Sequence, residues 1–341
     1  MENLQALKQK TYAMEQAFFS PYAAFSKDTR GRQREEVPCA MRTEYQRDRD
    51  RLIYCNAFRR LKNKTQVFFS PEGDHYITRL THTLDVAQIA RSIARALSLN
   101  EALAEAIALG HDLGHTPFGH SGERILNKLS PNGFKHNEQS LRVVDVLEKD
   151  GQGLNLTYEV RDGILNHKKS GNPCTLEGKA VSLADRIAYI NHDLDDAIRA
   201  GILKSEDVPK DIIEVLGKSS KERINTALTS IYDNSNGIND VKMAKEVEEA
   251  SEKLRSFMFE KVYLSVSAKG EEEKAERMLS AMYSHFMQYP EHLPDTYKTL
   301  LENCSRERVV CDYISSMTDR YALYMFNSIF VPRGWTFIDE K

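Results

Sequence analysis

Six of the ten histidines lie between residues 75 and 136, most with a carboxylate nearby. The densest run is Gly110-His111-Asp112-Leu113-Gly114-His115-Thr116-Pro117-Phe118-Gly119-His120-Ser121-Gly122-Glu123. An adjacent His–Asp pair at a helix end, relieved by glycines, can turn both side chains toward one point. Imidazole nitrogen with carboxylate oxygen suits a divalent transition metal such as Mn, Fe, Co, Ni or Zn, whereas magnesium sites prefer oxygen alone. A lone HD dipeptide recurs by chance, so two further ligands are required. His82 is one candidate, near the start of an amphipathic stretch; taken alone it reads first as a satisfied core histidine. Asp185 is the other. Val181, Ala184, Ala188 and His192 put it on an apolar helix face, with Tyr189 and Asp193 further along. A carboxylate there is costly unless paired or metal-bound. Pairing with Arg186 or another arginine is the alternative to a metal. His120 and Glu123 stand three apart, on one face of a helix beginning near Ser121. A carboxylate so placed orients the imidazole for proton transfer near neutral pH.

The elements that must hold these groups are helices. Glycine (17) and proline (10) are sparse, and apolar residues recur at helical spacing. Leu84, Ala87, Ile89, Ala90, Ile93, Ala94 and Leu97 form one stripe of a helix over 77–99. A second runs from Asn100, a cap, to His111; Gly110 and Gly114 bracket its end, and Pro117 and Gly119 oppose continuation. Further helices are expected over 122–130, 137–149, 157–168, 177–200, 209–216, 221–232, 240–264, 271–287, 295–304 and 306–327. Strand-like runs are confined to Gln66–Phe69 and a tail over 328–338. Pro38 marks where an extension (1–40) joins a core (41–264). The segment 265–275 reads as a loop leading into a charged helix start and a C-terminal helical region (265–341) packed on that core.

With 41% hydrophobic and 28% charged residues, the chain can bury a substantial core. Lys plus Arg total 47 against 50 Asp plus Glu, a net charge of −3 that excludes wholesale electrostatic wrapping of nucleic acid. The five cysteines are widely spaced with no CxxC pair, so neither a disulfide framework nor a thiolate zinc site is indicated. No 18-residue apolar run occurs, and Met1–Lys8 lacks an apolar signal core, which leads us to expect a cytoplasmic protein with no membrane partner. A GxxxxGK[ST] loop is absent, excluding P-loop phosphate handling.

The order His82 … His111-Asp112 … Asp185 resembles the HD superfamily of metal-dependent phosphohydrolases. The likeness extends to Phe58-Arg-Arg-Leu-Lys-Asn-Lys-Thr-Gln-Val-Phe68, Arg79-Leu-Thr-His-Thr-Leu-Asp-Val86, the 110–123 run, Ser182-Leu-Ala-Asp-Arg-Ile-Ala-Tyr189 and Asp312-Tyr-Ile-Ser-Ser-Met-Thr-Asp-Arg-Tyr321. Together these are similar to bacterial deoxyguanosinetriphosphate triphosphohydrolases, over roughly residues 20–325. The resemblance implies a mostly α, HD-domain helical fold with an additional C-terminal helical part and at most minor strands. It implies one divalent metal ion (Mn, Fe, Co, Ni or Mg) on His82, His111, Asp112 and Asp185. It implies hydrolysis of dGTP or several dNTPs at the α-phosphorus, to deoxynucleoside and inorganic triphosphate. A nucleoside triphosphate carries about four negative charges, so its site needs cations and oriented donors. The resemblance puts Arg79, Arg186 and Tyr189 near the phosphates and Asp193 nearer the sugar. His120, backed by Glu123, can protonate the departing sugar oxygen, and His136 matches a further active-site histidine.

His115 stays open between a supporting and a structural role; His75, His167, His192, His285 and His292 are taken as structural or exposed. Relatives imply a homo-oligomer and, for some, a dNTP activator, for which the basic residues Arg59, Arg60, Lys62 and Lys64 are candidates beside a plain solvated helix face. Nothing in the sequence supports single-stranded nucleic acid as a partner. Two other readings stand beside this one: an HD phosphohydrolase of another nucleotide, and a non-catalytic nucleotide- or single-strand-binding regulator. The 58–68 and 312–321 motifs oppose the former, since generic HD proteins need neither; intact ligands and an intact His120/Glu123 pair oppose the latter.

Overall fold

A computed structural model describes residues 2–66, 76–263 and 266–332. Among these there is no sheet, only the isolated bridges Arg32–Thr157 and Thr65–Thr78. The helices are α1 (Glu2–Phe18), α2 (Glu44–Tyr54), α3 (Asn56–Arg60), α4 (Arg79–Ala96), α5 (Glu101–Gly110), α6 (Gly119–Leu129), α7 (His136–Arg142) and α8 (Tyr158–Asn166). They continue as α9 (Leu176–Arg199), α10 (Lys210–Leu216), α11 (Ser220–Ser235), α12 (Lys245–Met258), α13 (Val266–Gln288), α14 (Arg306–Ser316) and α15 (Asp319–Phe330).

The site is framed by α4, α5, α8 and α9, three of which are started by a capping side chain. Thr78 caps α4 by accepting from the Thr81 N–H, and Thr81 reciprocates. Asn100 caps α5 through Ala102 and Leu103 N–H, as its sequence position predicts, and Thr175 caps α9. Helix α4 packs chiefly on α9 and α5, and α5 also lies on α2 and α8. The α5–α8 approach needs glycine: a Cβ on Gly110 would come within 2.4 Å of the Ile164 side chain. Two apolar clusters result. The larger joins α2, α4, α5, α8, α9, α11 and α12 around residues such as Leu52, Ile93, Leu103, Ile107 and Leu194. The smaller joins Ile125 and Leu126 of α6 to Leu279, Met282 and Phe286 of α13 and to Val310 and Ile314 of α14. Burying each such large side chain contributes about 1.5–3 kcal/mol. Helix α6 thus roots in the smaller cluster while its first turns carry His120 and Glu123.

Several expectations are corrected. Helices α1 and α2 were not anticipated; α2 (EYQRDRDRLIY) buries only Tyr45, Asp48 and Leu52 and shows little apolar periodicity. Residues 266–275 are helical rather than a loop, and α12 begins at Lys245, not 240. The helix expected over 306–327 breaks after Ser316, because Thr318 is extended and caps Tyr321. Residues 328–330 close α15 instead of opening a strand. Residues 67–69 and 333–338 of the strand expectations lie outside the described residues.

Candidate active site

The HD pair sits just past the last residue of α5. The His111 Nδ1–H donates to the Ala108 carbonyl at 2.6 Å, which leaves the Nε2 lone pair facing inward. That Nε2 has no hydrogen-bond partner; it lies 3.5 Å from Asp112 Oδ2 and 3.8 Å from Asp185 Oδ1. His82, on the first turn of α4, brings Nε2 to 3.1 Å from the same Asp185 oxygen. His82, His111 and Asp112 therefore meet at one buried point, and the half-buried Asp185 of α9 reaches the two histidines from beside it. The turn is fixed by Ser140 of α7, whose hydroxyl donates to the His111 carbonyl and accepts from the Gly114 N–H. A Cβ on Gly114 would fall 2.2 Å from the Ser140 nitrogen, so this turn requires glycine.

Charge on these groups follows from their neighbours. Burial pushes the Asp112 carboxyl up, but Arg79 foremost, then His111, His115 and His136, hold it well below the usual carboxylate range. Asp185 is likewise held down against burial, chiefly by His82 and His111. Burial lowers His82, and lowers His115 further. Asp112 and Asp185 are thus held ionised beside these imidazoles, the carboxylate state a divalent metal requires. With the orphaned His111 nitrogen, the donor set fits such an ion. Asp185 contacts the histidines, while Arg186 turns away to Glu248 (3.1 Å) and Glu252 (3.7 Å). The carboxylate–arginine alternative for Asp185 therefore does not describe this arrangement.

The proton-transfer pair is arranged differently from expectation. Glu123 accepts from the His136 backbone N–H at 2.9 Å and lies 2.9 Å from His136 Nδ1, whereas His120 Nδ1 is 3.6 Å away. His136 is thus its principal partner, because Glu123 points from α6 toward the start of α7. Its carboxyl is pushed up by burial yet held far below the usual range by His120 and His136. The His120 side chain is 72% exposed. His115 is buried and stacks on His136 with ring centroids 4.8 Å apart.

His167 is the residue the sequence reading missed. It is buried, donates Nδ1–H to the Ile164 carbonyl at 2.7 Å, and brings Nε2 to 3.3 Å from His136 Nε2. Its ring centroid is 5.1 Å from that of His111. Burial first, then His111 and His136, lowers it to about 4. The usable signal was periodicity: Val160, Gly163, Ile164 and His167 continue one inward stripe of α8. His192 also comes close, 5.7 Å from His82 between centroids, but binds Asp85 at 2.9 Å. His285 and His292 pair with one another, and His75 lies outside the described residues.

The basic residues divide. Arg79 is buried, with Nη1 donating to Asp112 and Nε and Nη2 to the carbonyls of Thr65 and Gln66. Tyr189 is half-buried against the main core, its hydroxyl pushed up by burial, and Asp193 is buried further along α9. In the 59–64 segment only Arg59 and Lys62 are exposed cations; Arg60 leans toward Glu148 (3.9 Å). Lys64 is buried and donates to the carbonyls of His115 and Ser315, so it joins the HD turn to α14. The C-terminal motif reaches the site as well. Asp312 accepts from Gln139 and Arg142, and Asp319 accepts from Thr65 and from the Phe118 N–H at 3.0 Å.

The HD domain family matches residues 79–190, and the phosphohydrolase-associated domain family matches residues 241–328. A deoxyguanosinetriphosphate triphosphohydrolase-like protein from Caldanaerobacter subterraneus is 58% identical over 96% of this chain and 97% of its own. Counterparts with the same description are 48% identical in Clostridium perfringens (91% and 94% covered) and 46% identical in Desulfatibacillum aliphaticivorans (96% and 98%). The chain belongs to this family. It is a hydrolase built on an HD domain. The matched HD segment contains every residue of the His/Asp cluster, and the matched associated domain contains Asp312 and Asp319, which bond to Gln139, Arg142, Thr65 and Phe118. Among the described residues no helix is long and apolar enough to cross a membrane.

Proposed function

We propose that this protein hydrolyses deoxynucleoside triphosphates, dGTP or several dNTPs, to deoxynucleoside and inorganic triphosphate. The observation carrying this reading is the convergence of His82, His111, Asp112 and Asp185 in a chain 58% identical to a relative of that description. Those four residues would hold one divalent ion, Mn, Fe, Co, Ni or Mg, which supplies Lewis-acid polarisation of a phosphoryl oxygen.

The remaining work falls to the chain itself. Arg79, already turned onto Asp112, and Arg186, which would leave Glu248 for the substrate, neutralise the triphosphate. Tyr189 and Asp193 follow Asp185 along α9 and take the phosphate and sugar ends respectively. Water adds to the α-phosphorus, the bond from phosphorus to the sugar O5′ breaks, and O5′ takes a proton. His120 is the donor of that proton: its exposure leaves it open to substrate, and Glu123 lies 3.6 Å behind it. Glu123 at the same time fixes His136, whose backbone and ring both bond it. The working unit is a homo-oligomer, with Arg59 and Lys62 free to take an activating dNTP.

The test is chromatographic product analysis with each of the four dNTPs, alone and with each other dNTP as activator. Triphosphate with deoxynucleoside is expected; pyrophosphate with a nucleoside monophosphate overturns the reading.

A further inference from the structure

We propose that Glu248 of α12 is a latch that parks Arg186 away from the phosphates and so sets how tightly a triphosphate binds. The latch rests on the dNTP reading above, which gives Arg186 to the substrate. Glu248 then tunes affinity without touching either the substrate or the His/Asp cluster.

Asp185 and Arg186 are adjacent on α9 but turn to different partners. Asp185 reaches His82 at 3.1 Å, while Arg186 Nη1 meets Glu248 at 3.1 Å and Glu252 at 3.7 Å. Glu252 is already taken by Lys169, in the connection from α8 to α9, at 2.6 Å, and by Arg255 at 3.0 Å. Glu248 is therefore the acid that holds Arg186. It does so through Nη1, while Arg186 Nε is buried and has no hydrogen-bond partner among the described residues. The guanidinium edge that includes Nε, one of those that grip an oxyanion with two parallel bonds, is left incomplete. Arg186 also lines a cavity of about 30 Å³ with Ile190, Asn191, Ser251 and Leu254, so it is not packed in on every side.

A pair so placed is readily exchanged. The Glu248 side chain is 39% exposed, and ion pairs in contact with water are weak. A triphosphate, with about four negative charges, offers oxygens to Nε as well as to Nη1. While Glu248 holds Arg186, only the fraction of molecules with the latch open binds at full strength, and apparent affinity falls by that fraction. The competing description is a static ion pair that merely ties α9 to α12. The two descriptions differ in sign: losing a static tie weakens binding or leaves it alone, whereas losing a latch tightens it.

The test titrates the full-length, metal-loaded protein with inorganic triphosphate by calorimetry and measures steady-state rates with dGTP. Glu248→Gln should tighten triphosphate binding and lower KM, each by up to about fivefold, with kcat unchanged. Glu249→Gln removes the same charge from the same helix, but Glu249 pairs with Lys245 at 3.6 Å, so neither quantity should move. In an Arg186→Gln background, Glu248→Gln should have no effect, because nothing remains to release. Unchanged or weaker binding in Glu248→Gln overturns the latch. So does an equal gain in Glu249→Gln, or a gain that survives Arg186→Gln, since either is a general field effect. Should Arg186→Gln fail to fold, the comparison of Glu248→Gln with Glu249→Gln decides. If dGTP yields triphosphate while Glu248→Gln matches wild type, the latch fails and the dNTP reading stands. If dGTP does not yield triphosphate but Glu248→Gln alone tightens binding of inorganic triphosphate, the latch stands and that reading fails. No triphosphate binding by wild type or Glu248→Gln overturns the latch.

Discussion

Asp319 does not touch the His/Asp cluster, yet its replacement should disable the enzyme. It opens α15, and its carboxylate spans two segments: one oxygen accepts from the Thr65 backbone and hydroxyl, the other from the Phe118 N–H. Phe118 stands in the left-handed region (φ 60, ψ 30) immediately before α6. That conformation costs about 1–2 kcal/mol for a residue with a Cβ, so the turn persists only while something holds it. In Asp319→Asn, whichever way the amide is oriented, its NH₂ must face a donor. One charge-assisted bond is then lost, about 1.5–3 kcal/mol. Freed, the turn relaxes, and His120 and Glu123 shift with the start of α6. A displacement of about 1 Å at groups of this kind costs roughly 100-fold in rate. We expect Asp319→Asn to lower triphosphate release by about that factor and to lower the thermal midpoint. Bound metal should be unchanged, since none of the donors contacts Asp319. Wild-type rate and midpoint together in this variant would refute the bracing role.

His120→Ala should reduce turnover by about 100-fold or more while metal and nucleotide still bind, as removal of a positioned acid does. Glu123→Gln should be milder, because one oxygen remains to accept from His136; steady-state rates ranked the other way contradict these roles. Cys39 receives the Arg42 backbone N–H at 3.4 Å, and with the Arg42 side chain this lowers its thiol to about 7, whereas burial lifts Cys174 to about 12. The thiolate is the reactive form, so iodoacetamide at pH 7 should label Cys39 first, its rate rising through pH 7; peptide mapping that finds Cys174 first contradicts this. Replacing Arg59 and Lys62 together by Gln should raise the concentration of activating dNTP required without altering metal content. Rates that follow one simple hyperbola for each dNTP, in wild type and variant alike, would return these residues to a solvated face.

Residues with local signals were legible in the sequence. Asn100 starts α5 by accepting from its first turn, and the stripe from Ala87 to Leu97 sets the buried face of α4, although Leu84 at the head of the expected stripe is exposed, so both helices could be read from single segments. His82 and Asp185 stood out because a polar group on an apolar face must be accounted for. What escaped notice depends on tertiary partners. The charges of α2 are offset by pairs such as Asp48 with Arg32, which no local pattern encodes. Glu123 faces both His120 and His136, and sequence spacing could favour only the nearer in chain. His167 has no carboxylate beside it in sequence; only the packing of α8 on α5, at Gly110 and Ile164, carries it to His111. Thr318 did carry a local cap signal, and it is the reason α14 and α15 are separate helices.

The central claim is the bond that breaks, and hydrolysis in H₂¹⁸O tests it most directly. With dGTP and the metal-loaded protein, mass spectrometry should find one ¹⁸O in inorganic triphosphate and none in the deoxynucleoside, as attack at the α-phosphorus demands. Label in the deoxynucleoside, or release of pyrophosphate or orthophosphate as first product, would contradict it.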